Sequence, residues 1–246
     1  MSLIASTTLV VIPAYNEATT VGTVAAHVIA VGFAVVVVDD GSGDGTAAAA
    51  RTAGATVLQL PVNLGVGGAL RCGFRWAVKR GFTTVVQCDA DGQHDPAQIR
   101  SLLDAAEAAG ADLAIGSRFS GGSGFEATRM RRMAMRQLAR VASRAAQTQI
   151  TDPSSGFRVI REPLLSEFAR EYPSQYLGDT FGALVDAGRA GFTVIETPVV
   201  MRERAGGVPS AGTLASIRFL VRAFLTVMIG SGHRYRVPAA TPGAPS

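Results

Sequence analysis

Thr83-Thr84-Val85-Val86-Gln87-Cys88-Asp89-Ala90-Asp91-Gly92-Gln93-His94-Asp95-Pro96 runs from a β-branched segment into three carboxylates and a glycine. Thr83–Cys88 predicts a buried strand, and Pro96, tolerated in the first turn of a helix, predicts that a helix follows, with Asp95 as its cap. Asp89 and Asp91 then stand at the strand's carboxyl end, where their mutual repulsion is costly unless a cation shares them. Oxygen donors without a thiolate suit Mg2+ or Mn2+, which keep several waters and take up phosphate oxygens. An EF-hand is excluded: counting from Asp89, the glycine comes fourth and Arg100, not Glu, stands twelfth.

The segments around this stretch repeat its design. Leu9–Ile12, Ala34–Val38, Thr56–Leu60 and Asp112–Ile115 are further short Val-rich runs that predict buried strands. Glu17–Val31, Asp44–Ala53, Gly67–Arg80 and Pro96–Ala109 predict the helices between them. Alternation of this kind predicts an α/β fold with a mostly parallel central sheet and helices on both faces. Ligands in such sheets bind beyond the carboxyl ends of the strands. The polar, glycine-rich segments Pro13–Glu17, Asp39–Thr46, Asn63–Gly68 and Asp89–Pro96 all fall at those ends. In Val38-Asp39-Asp40-Gly41-Ser42-Gly43-Asp44-Gly45-Thr46 a plain turn explains the glycines and Asp44, a helix cap, but not two further acids. An acid so placed commonly accepts from a ribose hydroxyl or a base N–H.

Other chemistries find less footing. Gly65-Val66-Gly67-Gly68 lacks the third glycine of a dinucleotide fingerprint, since Leu70 stands there, and no GxxxxGK segment occurs. Cys72 and Cys88 have neither disulfide nor zinc-site spacing and read as reduced core residues. His27 falls in a predicted helix and His233 in the tail, whereas His94 flanks the carboxylates and is a candidate for touching a phosphate. The N-terminal apolar run ends at Pro13 without a basic flank and reads as a strand, not a signal peptide.

The second half changes character. A loop over Ser117–Gly124 leads to an Arg-rich helix over Arg129–Ala146, a turn at Asp152–Gly156 and a strand at Phe157–Ile160. Helices over Pro163–Arg170 and Asp179–Ala190, a strand over Thr193–Thr197 and a loop holding Arg202 and Arg204 follow. The arginines at 132, 136, 140 and 144 are spaced by four and share one helix face. A solvated face normally mixes signs, so an unmixed stripe points to a phosphate-bearing or anionic surface. An apolar helix over Leu214–Ile229, carrying Arg218 and Arg222, suits a membrane interface or a small membrane protein. The residues after it, from His233, read as a disordered tail. The expected organisation is thus a catalytic domain over residues 1–210, the apolar helix within 211–232 and the tail over 233–246.

Composition agrees once it is located. The 246 residues are 48% hydrophobic and 17% charged, which excludes a disordered chain or a coiled coil. Mean hydropathy is +0.26, yet no apolar run reaches the ~18 residues of a membrane-spanning helix. The net charge of +4 hides a division: residues 129–144 hold six Arg and no acid, and residues 202–236 hold six Arg and one Glu. The remaining chain is acidic, with 11 basic against 18 acidic residues. Aromatic residues make up 7% and offer no stacking platform, so nucleic acid is not an expected partner.

Taken together, these motifs resemble glycosyltransferase family 2, and most closely its polyprenyl-phosphate, dolichyl-phosphate mannose synthase-like branch. Ile12-Pro13-Ala14-Tyr15-Asn16-Glu17, Val38–Thr46, Asn63-Leu64-Gly65, Asp89–His94 and Gly116-Ser117-Arg118 match successive blocks of the family. Asp152-Pro153-Ser154-Ser155-Gly156-Phe157-Arg158 is similar to the D-P-[ST]-S-G-F-R of that branch. The resemblance implies a GT-A fold, a nucleotide-diphosphate sugar donor such as GDP-mannose or a UDP-sugar, a divalent metal (Mg2+ or Mn2+) and inversion at the anomeric carbon. It implies that Pro13, Tyr15, Glu17, Val38 and Asp40 hold base and ribose, and that Asp89, Ala90, Asp91 and Gln93 hold metal and diphosphate. Arg118 and Arg204 would meet the donor phosphates, the latter in a loop longer than the family's R-x-x-G-x-S. Arg132 and Arg136 would meet the acceptor phosphate.

The expected acceptor is a polyprenyl phosphate, already ionised near neutral pH and so able to attack without a general base. The alternative is a hydroxyl acceptor in cell-wall or surface polysaccharide synthesis, with Asp179 as base. A catalytically silent nucleotide-sugar sensor and a nicotinamide or flavin oxidoreductase are the remaining readings. The expected location is cytoplasmic, peripheral at the inner face of the cell membrane.

Overall fold

The computed structural model describes residues 3–118, 129–173, 179–202 and 235–237. The strands are β1 (Thr8–Ala14), β2 (Ala34–Asp39), β3 (Thr56–Gln59), β4 (Thr84–Gln87), β5 (Leu113–Ser117), β6 (Arg158–Arg161) and β7 (Val194–Pro198). They form one sheet in the order β3-β2-β1-β4-β6-β5-β7. All pairs are parallel except those of β6, which runs antiparallel to both β4 and β5.

The helices are α1 (Leu3–Thr7), α2 (Val21–Ala30), α3 (Thr46–Thr52), α4 (Gly65–Lys79), α5 (Ile99–Ala108), α6 (Arg129–Ala146), α7 (Leu164–Glu171) and α8 (Asp179–Ala190). Alternate residues of the central strands feed two cores. Leu9, Val11, Val36, Val38 and Val85 pack with Phe74 of α4, Leu138 of α6, Phe168 of α7 and Phe181 of α8. Val10, Ile12, Val35, Val37 and Val86 pack with Val24 and Val28 of α2 and Ile99 and Leu102 of α5. Coverage on both faces is why β1 and β2 are almost continuously apolar.

Two helices start later than expected, because turns close first, one through a backbone carbonyl and one through a side chain. The Glu17 carbonyl accepts from the amides of Thr20 and Val21, so α2 begins at Val21. Asp44 accepts from the Thr46 amide at 2.9 Å, so α3 begins at Thr46. Pro96–Gln98 forms a 3-10 turn before α5, with Asp95 accepting from the Ala97 amide at 3.0 Å as the expected cap.

The antiparallel β6 positions the site. Its first residue, Arg158, lies in register with Gln87 at the carboxyl end of β4 and with Ile115 of β5. The Asp152–Phe157 segment entering β6 is thereby delivered to the sheet end that carries Asp89 and Asp91. Tyr235, in the segment expected to be a disordered tail, is 5% exposed, its ring 5.3 Å from that of Phe168. The Arg236 amide donates to Glu167 at 3.2 Å, so burial of an aromatic ring fixes this short piece on α7. The expected apolar helix Leu214–Ile229 lies outside the described residues. Among the described residues no helix is long and apolar enough to cross a membrane.

Candidate active site

The carboxyl ends of β1 and β2 are knitted together. Pro13 is in register with Val38, and the Asp40 amide donates to the Ala14 carbonyl at 2.9 Å. Asn16 accepts from the Gly43 amide at 3.0 Å and its own amide donates to Ser42 Oγ at 2.9 Å. The Glu17 amide donates to Thr46 Oγ1 at 2.9 Å, and the Glu17 carboxylate accepts from Thr20 Oγ1 at 2.8 Å. Asp40 reaches the next loop, accepting from the Leu64 amide at 2.7 Å. Gly41, at φ +72°, lets that loop close in, since a Cβ there would lie 2.8 Å from the Val62 carbonyl carbon. Pro13, Tyr15, Glu17, Val38 and Asp40 are therefore brought to one end of the β1–β2 pair, with Tyr15 51% exposed.

Burial pushes the Asp40 carboxyl above its usual range; amide donors from Leu64 and Gly65 oppose the rise, and neighbouring Asp39 adds to it. Asp44 goes the other way. Burial would raise it, but hydrogen bonds from Thr46 and Ala18 prevail and hold it below its usual value.

Beyond β4, Cys88 is buried and its thiol is pushed well up, first by burial and then by the charges of Asp89, Asp91 and Asp95. Asp91 accepts from the Gln93 amide at 3.0 Å, and the Asp89 amide donates to His94 Nδ1 at 2.9 Å. His94 is 2% exposed and stacks on Phe157, with ring centroids 5.0 Å apart and planes 18° apart. A role for His94 in directly touching a phosphate is poorly compatible with that burial. Gly156 lies under the Asp89 carboxylate, where a Cβ would stand 2.8 Å from both oxygens. The Asp89 side chain itself remains 40% exposed.

The chain after β7 is fastened to this loop. Met201 bridges to His94, and the Arg202 amide donates to the Gln93 carbonyl at 2.9 Å. Arg202 Nη2 lies 2.9 Å from Asp95 Oδ1. The Gln98 amide group bonds Val200 twice, donating to its carbonyl at 2.5 Å and accepting from its amide at 2.8 Å.

Arg118, at the end of β5, forks onto Asp152, with Nε 2.8 Å from Oδ2 and Nη2 3.0 Å from Oδ1. Those hydrogen bonds raise its guanidinium above the ordinary value, with burial opposing. Glu196 of β7 supports the same turn, its carboxylate accepting from the amides of Thr151 and Asp152 at 2.5 and 2.7 Å. Arg158, fully buried, donates to the carbonyls of Ser155, Thr180 and Pro153 at 2.8, 2.7 and 2.9 Å. Burial pushes its pKa down, against the nearby carboxylates of Asp152 and Asp89.

Arg136, Arg140 and Arg144 are exposed on α6, opposite buried Leu138 and Ala142. Of Arg132 and Asp179 only the helical backbone is described, and Arg204 lies outside the described residues. Sequence reasoning missed the parts played by His94, Gly156, Glu196 and the Gln98 and Arg202 fastenings. The DPSSGFR segment carried the signal for Gly156, but nothing local marks a contact between segments so far apart.

Among the described residues no three His, Cys, Asp or Glu side chains gather as for a metal held wholly by protein. Asp89, Asp91 and Gln93 offer oxygen donors, the type that suits Mg2+ or Mn2+ with the remaining positions left to water.

The family described as "Glycosyl transferase family 2" matches residues 9–168. A polyprenol monophosphomannose synthase of Mycolicibacterium smegmatis is 35% identical over 216 residues, 82% of this chain and 79% of that protein. An undecaprenyl-phosphate mannosyltransferase of Micrococcus luteus is 34% identical over 180 residues, 70% of this chain and 73% of that protein. In fold, the chain resembles glucosyl-3-phosphoglycerate synthase from Mycobacterium tuberculosis, crystallised with Mn2+, UDP and glucosyl-3-phosphoglycerate. The TM-score is 0.66 at 21% identity, covering 92% of this chain and 81% of the other. With a sheet of the GT-A type and acids gathered at its carboxyl end, the chain belongs to glycosyl transferase family 2 and is a glycosyltransferase.

Proposed function

We propose that this enzyme transfers a hexose from a nucleotide-diphosphate sugar to a polyprenyl phosphate, with inversion and with Mg2+ or Mn2+. The observation that carries the reading is the parallel order β2-β1-β4, which sets the Asp40 end and the Asp89–Asp91 end on either side of the Pro13–Glu17 end of β1. A base and ribose over Pro13, Tyr15, Glu17, Val38 and Asp40 then leave the diphosphate over Asp89, Ala90, Asp91 and Gln93. The names of the two curated relatives support the lipid-phosphate acceptor.

A bound cation would neutralise charge developing on the departing nucleoside diphosphate, worth several kcal/mol in sites of this kind (order of magnitude). Arg118, held in a fixed orientation by Asp152, and Arg204 supply positive charge toward the same phosphates. Arg132 and Arg136 on α6 meet the acceptor phosphate. One acceptor oxygen attacks the anomeric carbon as the bond to the donor phosphate breaks, giving polyprenyl-phosphohexose and nucleoside diphosphate. The acceptor oxygen is already ionised, so Asp179 is not required as a base. The lipid acceptor and the exposed arginines of α6 support a location at the cytoplasmic face of the membrane.

The test compares polyprenyl phosphate with dephosphorylated polyprenol as acceptor, using mass spectrometry of the lipid product. Transfer to the phosphate alone, retained in Asp179→Asn, is expected. Transfer to polyprenol that disappears in Asp179→Asn would establish the hydroxyl-acceptor reading instead.

A further inference from the structure

We infer that His94 is a positioning residue for the Asp89 carboxylate, an assignment that rests on the proposed metal role of Asp89. His94 Nδ1 accepts the Asp89 amide hydrogen at 2.9 Å, which puts the ring proton on Nε2. Nε2 lies 3.6 Å from Asp89 Oδ2, too far for a direct hydrogen bond but close enough for the N–H dipole to attract the carboxylate. The ring is itself fixed from two other directions. Phe157 stacks on its face, and Met201 bridges to its backbone.

These contacts close a small frame. Phe157 follows Gly156, whose missing Cβ makes room for the Asp89 carboxylate. One short segment entering β6 thus supports the ligand directly through Gly156 and indirectly through the Phe157–His94 stack. His94 holds the backbone of Asp89 while Gly156 limits where its side chain can lie. Supports of this kind around metal ligands are commonly worth about 10- to 100-fold in metal affinity.

Two substitutions separate positioning from packing. His94→Phe keeps the stack on Phe157 and removes both nitrogens. His94→Asn loses the stack and keeps an amide oxygen near the position of Nδ1, able to accept the Asp89 amide. The measurement is Mn2+ binding in the presence of the nucleoside diphosphate, read from the loss of free-Mn2+ signal in electron paramagnetic resonance, beside the thermal midpoint.

His94→Phe is expected to weaken Mn2+ binding about 10- to 100-fold and, with the Asp89 amide left unpaired, to lower the thermal midpoint by a few degrees. His94→Asn is expected to lower the midpoint more and to bind Mn2+ more tightly than His94→Phe. If His94→Phe binds as wild type does, or His94→Asn is the weaker binder, the inference is overturned. Should His94→Phe not fold, His94→Asn alone decides: binding within about tenfold of wild type supports the inference, and any larger loss contradicts it. Absence of Mn2+ binding in the wild type would instead remove the metal reading of Asp89 on which the inference rests.

Discussion

The carboxylate of Asp89 rests on the backbone of Gly156, so closely that a Cβ at 156 would stand 2.8 Å from both Oδ1 and Oδ2. The two residues are 67 apart in sequence and meet because β6 runs antiparallel beside β4. Gly156→Ala should therefore displace the carboxylate while leaving both cores intact. A misplacement near 1 Å can cost about 100-fold in rate. Steady-state kinetics should show kcat/KM for the donor falling by about 10- to 100-fold, with the thermal midpoint shifted by no more than a few degrees.

Arg118 and Asp152 form a fork in which Asp152 is fully buried and the Arg118 side chain is one-third exposed. Arg118→Met leaves the buried carboxylate without its cation, near the carboxylate of Glu196. Breaking a buried pair costs about 3–5 kcal/mol, and partial exposure of Arg118 reduces that to about 1–3 kcal/mol. Calorimetry should show the midpoint falling by roughly 3–10 °C. Arg118→Lys keeps the charge without the fork and should fall between wild type and Arg118→Met.

Asp40 and Asp44 should respond to pH in opposite senses. Burial raises Asp40 above its ordinary 3.8, so its contribution to stability is fully present below that value and is lost as pH rises through the folded pKa. Hydrogen bonds lower Asp44, so its contribution is present above 3.8 and is lost as pH falls through the folded pKa. At pH 7, Asp40→Asn, which can still accept from Leu64, should hold or raise the thermal midpoint while weakening donor binding. Asp44→Asn should lower the midpoint. Both differences should shrink as pH falls through each folded pKa, which melting curves from pH 3 to 8 would measure.

The two thiols offer a check on the Asp89–Pro96 loop itself. Cys88 is buried beneath three carboxylates with its thiol pushed up, whereas Cys72 is half-buried on α4. At pH 8, Ellman's reagent should leave Cys88 unmodified in the native protein and should titrate both thiols in guanidinium. Rapid modification of Cys88 in native protein would contradict its burial behind the loop.

The strand ends were legible in sequence because chemistry and turn residues are adjacent there. Asp39-Asp40-Gly41 and Asp89-Ala90-Asp91-Gly92 each follow a Val-rich run, and a parallel sheet then dictates where they gather. The antiparallel β6 was not legible, because a four-residue apolar strand carries no mark of its direction. Everything that depends on β6 was hidden with it, including the Gly156 support and the stack of Phe157 on His94. Helix starts at Val21 and Thr46 were misplaced because a turn precedes each: the Glu17 carbonyl accepts from the Thr20 and Val21 amides, and Asp44 accepts from Thr46 and, across loops, from Ala18. The basic stripe of α6 was half legible: spacing by four predicts one face, and the fold turns that face outward.

Transfer of label from nucleotide sugar to lipid tests the central claim most directly. The enzyme is incubated with undecaprenyl phosphate and radiolabelled GDP-mannose or UDP-glucose, with Mg2+ or Mn2+, and the organic phase is counted. Label should enter the lipid from one of these donors, and EDTA or Asp91→Asn should abolish it. No lipid label from either donor, or full transfer in EDTA and in Asp91→Asn, would contradict the account.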